Sequence, residues 1–300
     1  MRTLHTLYKS TILYFFREHN PDVIIGTESW LSTDINDTEI FPQDYVVYRK
    51  DRSERLGGGV FIAIRDTIVS YKEDWNCNGL CEAVWCRIVD KYNTHYLLGC
   101  FYDPPSDCSS ALSEFLSVLE RQAHINNSRI VVGGDFNLPY IDWEHMVSLT
   151  SGRYQKKNQI LLNVLNNCGL EQLVKVPTRL SQNVGNILDL VVTNTPQRIQ
   201  SIITCDGISD HSAIIMQMEN ISRRTKVKQI VKLFSLADIM ELNNVLYQHY
   251  LDFCRMAGSR TVNENWCHFK ESMQNVDSLV PVRTINVNAD PPGTYIQSQY

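Results

Sequence analysis

Apolar positions along the 300 residues fall mostly into short runs bounded by turn-forming residues, with helical stripes between some of them. Leu4, Leu7, Tyr8, Ile12, Phe15, Phe16 and His19 recur at helical spacing and predict a helix over 4–19, which Asn20-Pro21 stops. Runs rich in β-branched and aromatic residues predict strands at 22–27, 45–48, 58–64, 82–89, 96–102, 129–134, 187–193 and 213–218. Helical spacing returns at 111–123, with Leu112, Phe115, Leu116 and Leu119 on one face, and at 158–168, which Gly169 ends. Many strands with few interleaved helices fit an α/β class in which two packed, mostly antiparallel sheets are flanked by helices. Gly57-Gly58-Gly59 predicts a turn or a close backbone approach at a strand start.

The pattern changes after Glu219. Arg223, Arg224, Lys226, Lys228 and Lys232 form a basic run, and 236–280 reads as helical. A Pro/Gly/Gln/Ser-bearing tail from Asn286 reads as disordered. The expected organisation is an α/β domain over 1–219, a helical connector over 220–285 and a tail over 286–300.

Composition narrows the class. Hydrophobic content of 43% supports a sizeable core. A net charge of −5 means that any nucleic-acid contact must come from a local patch. Cys77, Cys81 and Cys86 cluster, but no second cluster completes a zinc spacing. The cysteine count of nine is odd and no signal peptide is evident, so a reducing, intracellular setting with free thiols and no disulfide-linked partner is expected. No run reaches the length of a membrane span, and no membrane contact is expected.

The chemistry lies at strand ends. Gly133-Gly134-Asp135-Phe136-Asn137 follows an apolar strand. Asp135 there suits orienting or deprotonating a water, and Asn137 suits holding that water or a phosphate oxygen. The two glycines would let a phosphate approach. Asp189 sits in the apolar run Ile187–Thr193, and Asp210-His211 precedes another; an Asp189–His211 pair would fix the imidazole tautomer. Glu28 ends the run Val23–Ile25 and is a hard-oxygen ligand for Mg2+. Tyr102 places a phenol at a strand end, and Thr178-Arg179 suits a phosphate backbone. Taken singly, each has a plain structural alternative: an Asx turn at Asp135, a structural Asp-His turn, an edge-strand acid at Asp189, surface residues elsewhere.

In order, Glu28, Tyr102, Asp135-x-Asn137, Asp189 and Asp210-His211 resemble the endonuclease/exonuclease/phosphatase superfamily, and most closely the endonuclease segment of LINE-type (non-LTR) retrotransposon polyproteins. Pro21–Ile25 running into Thr27–Leu31, Gly57–Val60, Tyr102 with Pro104-Pro105, and Leu188–Asn194 add to the likeness, which covers about 4–219. The resemblance implies a four-layer α/β sandwich and cleavage of a DNA phosphodiester with Mg2+, or Mn2+ in its place. It implies that Glu28 and Asp210 hold the metal, that Asp135 positions the water, and that Asn137 and Tyr102 contact the phosphate. His211, oriented by Asp189, would stabilise the developing charge. Such an enzyme nicks target DNA to prime reverse transcription, which implies the nucleus, with the cytoplasm as the alternative. Aligned on Pro21-Asp22, the family's first strand and its metal-binding Asn fall at or before Met1. The resemblance therefore implies a chain truncated at its N-terminus and lacking the reverse transcriptase. The alternative function is a catalytically inactive fragment that binds nucleic acid or a partner. A lipid or inositol phosphate substrate is disfavoured by the lack of a membrane-binding amphipathic segment. Asp103, where the retrotransposon pattern has a basic residue, would place a negative charge by the phosphate path.

Overall fold

A computed structural model describes residues 13, 15–52, 57–75, 81–90, 93–105, 109–125, 129–152, 154–181, 184–207, 209–219 and 225–289. The described residues divide into two compact units, the first within Met1–Arg224 and the second within Thr225–Asp290.

Period-two alternation builds the first unit. In Val60–Arg65 (β3), Val60, Ile62 and Ile64 join one apolar cluster while Phe61 and Ala63 join another. β3 pairs antiparallel with Val23–Thr27 (β1) on one side and Tyr45–Lys50 (β2) on the other. A six-stranded sheet lies against this one. Its order is Glu171–Gln172 (β10), Asp189–Thr193 (β13), Arg129–Asp135 (β7), His95–Tyr102 (β6), Glu82–Val89 (β5) and Val69–Glu73 (β4). Its central strands β5, β6 and β7 are buried on both faces and so read as near-continuous apolar runs. Val84, Cys86, Leu98, Cys100 and Val131 face the three-stranded sheet; Trp85, Leu97, Phe101, Ile130 and Val132 face two helices, Ser109–Ala123 (α1) and Tyr154–Asn167 (α2). On the far side, Phe16, Leu31, Ile40 and Phe41 cover Phe61 and Ala63. Four layers result, as the α/β sandwich reading expects.

The β6–β7 pairing is parallel, and α1 provides its crossover. Ile199–Cys205 (β14) and Ala213–Met218 (β15) form a separate two-stranded sheet, with Met216 and Met218 packed against the inter-sheet core. Among the described residues β1 pairs only with β3 and β15 only with β14, so the second layer is in two pieces.

Several expectations change. Of the helix at 4–19, residues 13 and 15–19 are helical and the others lie outside the described residues. In the second unit the helices Ile239–Met256 (α3) and Val262–Ser278 (α4) are accompanied by two paired strands, Thr225–Lys232 and Val282–Ala289. Of the tail expected to be disordered over 286–300, residues 286–289 are strand paired with 225–228, and 290–300 lie outside the described residues. Arg223 and Arg224 lie outside the described residues, and Lys232 is ion-paired to Asp277. No described helix is long and apolar enough to cross a membrane.

Candidate active site

Strand register assembles the site. In the parallel β6–β7 pair, Tyr102 is the partner of Asp135; in the antiparallel β7–β13 pair, Asp189 is. Three candidate residues therefore stand abreast at one end of three adjacent strands. Directly paired residues project from the same face, and Tyr102 belongs to the cluster facing the three-stranded sheet. That sheet contributes Glu28, just past β1. Its φ is +51°, and it accepts hydrogen bonds from the Tyr102 hydroxyl and from Trp30 Nε1 at 3.0 Å. The glycine triplet holds this turn: Gly59 and Gly58 carbonyls accept from Ser29 N (3.1 Å) and Trp30 N (2.9 Å).

Asp135 is buried, 5% exposed. Its two oxygens accept from Asn137 N and Asn137 Nδ2, each at 3.0 Å. The Asx turn named as the structural alternative is thus present, and it presents Asn137, whose Nδ2 also donates to the Asp103 carbonyl at 2.9 Å. Burial, then the Asp189 charge, push the Asp135 carboxyl up to about 7. Gly134 has φ +151°, and a Cβ there would lie 1.9 Å from the Phe101 carbonyl oxygen. A Cβ on Gly133 would meet Ile25 at 3.3 Å. These glycines serve strand packing, which corrects the expectation that they admit a phosphate.

His211 Nδ1 lies 2.7 Å from Asp189 Oδ2. Burial lowers the His211 pKa, but the Asp189 hydrogen bond and charge, with the Asp135 charge, outweigh it and the net shift is upward. The donor atoms of Asp135, Asp189 and His211 all lie within 4.8 Å of one another. Thr178 ties the pair together. Its Oγ1 accepts from Leu188 N (3.0 Å) and Asp189 N (3.1 Å), and its carbonyl accepts from Ser212 N at 2.7 Å. At 1% exposure Thr178 touches no solvent, which overturns its expected contact with nucleic acid.

Arg179 and Asp210 form an ion pair at 2.7 Å on the surface. Asp210 is therefore turned to Arg179, and no described contact joins it to Glu28. Tyr102 is 3% exposed and its hydroxyl donates a hydrogen bond to Glu28, so its reach is to the carboxylate. Burial, then the Glu28 hydrogen bond, raise its pKa and keep it a neutral donor. Asp103 is buried against Lys157 at 2.8 Å, so the expected negative charge on a phosphate path is neutralised inside the fold.

Sequence reading missed Trp30, Lys157, and the Arg52–Glu82 pair, whose carboxylate also accepts from Gly59 N at 2.6 Å. Lys157 left a signal: it shares a helical stripe with Leu161 and Leu165, where a cation needs a buried partner.

Residues 96–215 match a protein family described as endonuclease-reverse transcriptase. No curated protein sequence matches the chain. Among solved structures, a 3′ phosphatase (NExo) from Neisseria bound to a product DNA hairpin is 12% identical, covering 70% of this chain and 93% of its own, with a TM-score of 0.52. An AP endonuclease from Archaeoglobus fulgidus is 13% identical, covering 71% of this chain and 94% of its own, with a TM-score of 0.51. A 3′-5′ exonuclease from Neisseria meningitidis is 14% identical, covering 71% and 95%, also with a TM-score of 0.51. The chain has the endonuclease/exonuclease/phosphatase fold. Within that fold, Glu28, Tyr102, Asp135, Asn137, Asp189 and His211 converge between the two sheets.

Proposed function

We propose that this chain is a divalent-cation-dependent phosphodiesterase that nicks DNA, the endonuclease step that primes reverse transcription in a retrotransposon. The carrying observation is the convergence of a buried carboxylate, Asp135, with the Asp189–His211 pair and Glu28. The match of 96–215 to an endonuclease-reverse transcriptase family and a DNA-bound structural neighbour support the substrate.

A cation fits the donor set. Asp135 is buried beside Asp189 and Glu28; burial first, and the Asp189 charge next, oppose its ionised form, and a bound cation would offset both. Hard carboxylate oxygens suit Mg2+ or Mn2+. Glu28 would hold the ion beside Asp135, and Asp210 would join by leaving Arg179. When bound, such an ion supplies charge neutralisation at the phosphate oxygens.

The chain's own groups divide the rest. Asp135 accepts the proton of the attacking water as its oxygen bonds to phosphorus. Asn137 orients that water or a phosphate oxygen. Asp189 holds His211 in the Nδ1–H form, leaving Nε2 to donate to the phosphate when protonated. The bridging P–O bond breaks and the departing oxygen takes a proton from solvent. Tyr102 positions Glu28, and Arg179 is the exposed candidate for a phosphate contact.

The test is nicking of supercoiled plasmid by purified protein with Mg2+ and with EDTA. Wild type is expected to nick only with Mg2+, and Asp135→Ala and His211→Ala to lose at least about a hundredfold in rate. Equal nicking by both variants would reject the site; no nicking by folded wild type would reject the activity.

A further inference from the structure

The helix layer carries a second group of metal-ligating side chains. α1 links the end of β6 to the start of β7, so its C-terminal end lies at the opposite end of the sheet from Tyr102 and Asp135. Glu120 and His124 are there, four residues apart and thus on one face of the helix. His124 N still donates to the Glu120 carbonyl at 3.3 Å, which keeps the last turn helical. The third member, Cys168, ends α2. A Schellman turn fixes it: Gly169 has φ +61°, Leu170 N donates to Leu165 O at 2.8 Å and Gly169 N to Asn166 O at 3.3 Å. The Glu120 carboxylate, His124 imidazole and Cys168 thiol offer donor atoms that all lie within 4.8 Å of one another. His124 is exposed and the other two half-buried, so an ion can reach the group from solvent. Among the described residues, no hydrogen bond or ion pair occupies these side chains.

We infer that Glu120, His124 and Cys168 bind one transition-metal ion, Zn2+ by their ligand chemistry, that ties the C-terminal ends of α1 and α2. One sulfur, one nitrogen and one oxygen donor form a borderline-soft set that suits zinc and excludes Mg2+, which takes oxygen alone. Tetrahedral zinc would space its donors roughly 3.5 Å apart, a closure of the present spacing that side-chain rotation on two fixed helix ends can make. Three protein ligands leave the fourth position to water. Binding converts the thiol to thiolate and releases its proton to solvent. This site is independent of the nuclease reading.

The test uses Co2+ as a spectroscopic probe and Zn2+ as competitor on the metal-stripped 300-residue chain in excess Mg2+. One equivalent of Co2+ is expected to give a thiolate-to-cobalt charge-transfer band that Zn2+ abolishes and Mg2+ does not. Cys168→Ser should lose the band, and His124→Gln, at an exposed position, should weaken binding at least tenfold. In that excess of Mg2+, one equivalent of Zn2+ should raise the unfolding temperature of wild type clearly more than that of either variant. Absence of stoichiometric binding would overturn the inference, as would a band that survives unchanged in Cys168→Ser.

Discussion

The hydroxyl at position 178 satisfies two backbone N–H groups, those of Leu188 and Asp189, while its own carbonyl takes Ser212 N. One buried side chain thus sets the distance between Asp189 and the His211 loop. Thr178→Val keeps the shape and removes the acceptor, leaving two buried donors unpaired at about 1–3 kcal/mol. Nicking by Thr178→Val is expected to fall at least tenfold and its pH profile to shift, because the Asp189–His211 hydrogen bond is loosened. Thr178→Ser should restore both; an unaltered profile in Thr178→Val would reject the positioning role. The acids of the site were legible because a carboxylate on an apolar run is expensive without a partner. Thr178 was not, since Thr-Arg after a proline looks the same whether the hydroxyl faces solvent or the backbone. Nor was the partner of Asp103, which depends on a lysine 54 positions away.

At the scale of elements, the strands that carry the site were readable from their apolar content, and the crossings between them were not. Register alone sets Tyr102 and Asp189 beside Asp135, and register needs the neighbouring strand. Two strands escaped notice: Ile199–Cys205 is only partly covered, and the lysines of Thr225–Lys232 make its sequence read as a basic linker. Gly134 shows how tightly the central pairing is set. Gly134→Ala would drive a Cβ into the Phe101 carbonyl oxygen, 1.9 Å away, and force β6 and β7 apart. The expected loss is about 3 kcal/mol or more in urea unfolding. Gly169→Ala is the comparison, since Gly169 also has a positive φ but nothing within 4 Å of the added carbon. It should cost only about 1–2 kcal/mol, the strain of the left-handed conformation. Equal losses would show that the β6–β7 approach is looser than the geometry indicates.

For the molecule as a whole, the buried acid couples folding to pH. Asp135 moves from 3.8 to about 7 because burial, then Asp189, oppose its charge. The native state therefore holds this proton more tightly than the unfolded chain, and between about pH 4 and pH 7 stability falls as pH rises. His211 acts in the same direction: its raised pKa contributes stability that is present below about 6.5 and is lost as pH climbs through the native value. The Asp135 part is on the order of 4 kcal/mol. A cation at the site reverses the balance, since it favours the ionised carboxylate. Mg2+ is therefore expected to stabilise the protein more at about pH 8 than at about pH 5. Separate melting of the two units would blur the transition. One of the five tryptophans, Trp266, lies in the Thr225–Asp290 unit, so a Trp266→Phe background confines the fluorescence signal to the unit that carries the site. In that background the urea midpoint should fall from about pH 5 to about pH 8, and Asp135→Asn should flatten the fall and abolish most of the Mg2+ response. A midpoint that rises with pH, or a Mg2+ response untouched by Asp135→Asn, would place the cation elsewhere and leave Asp135 a structural acid.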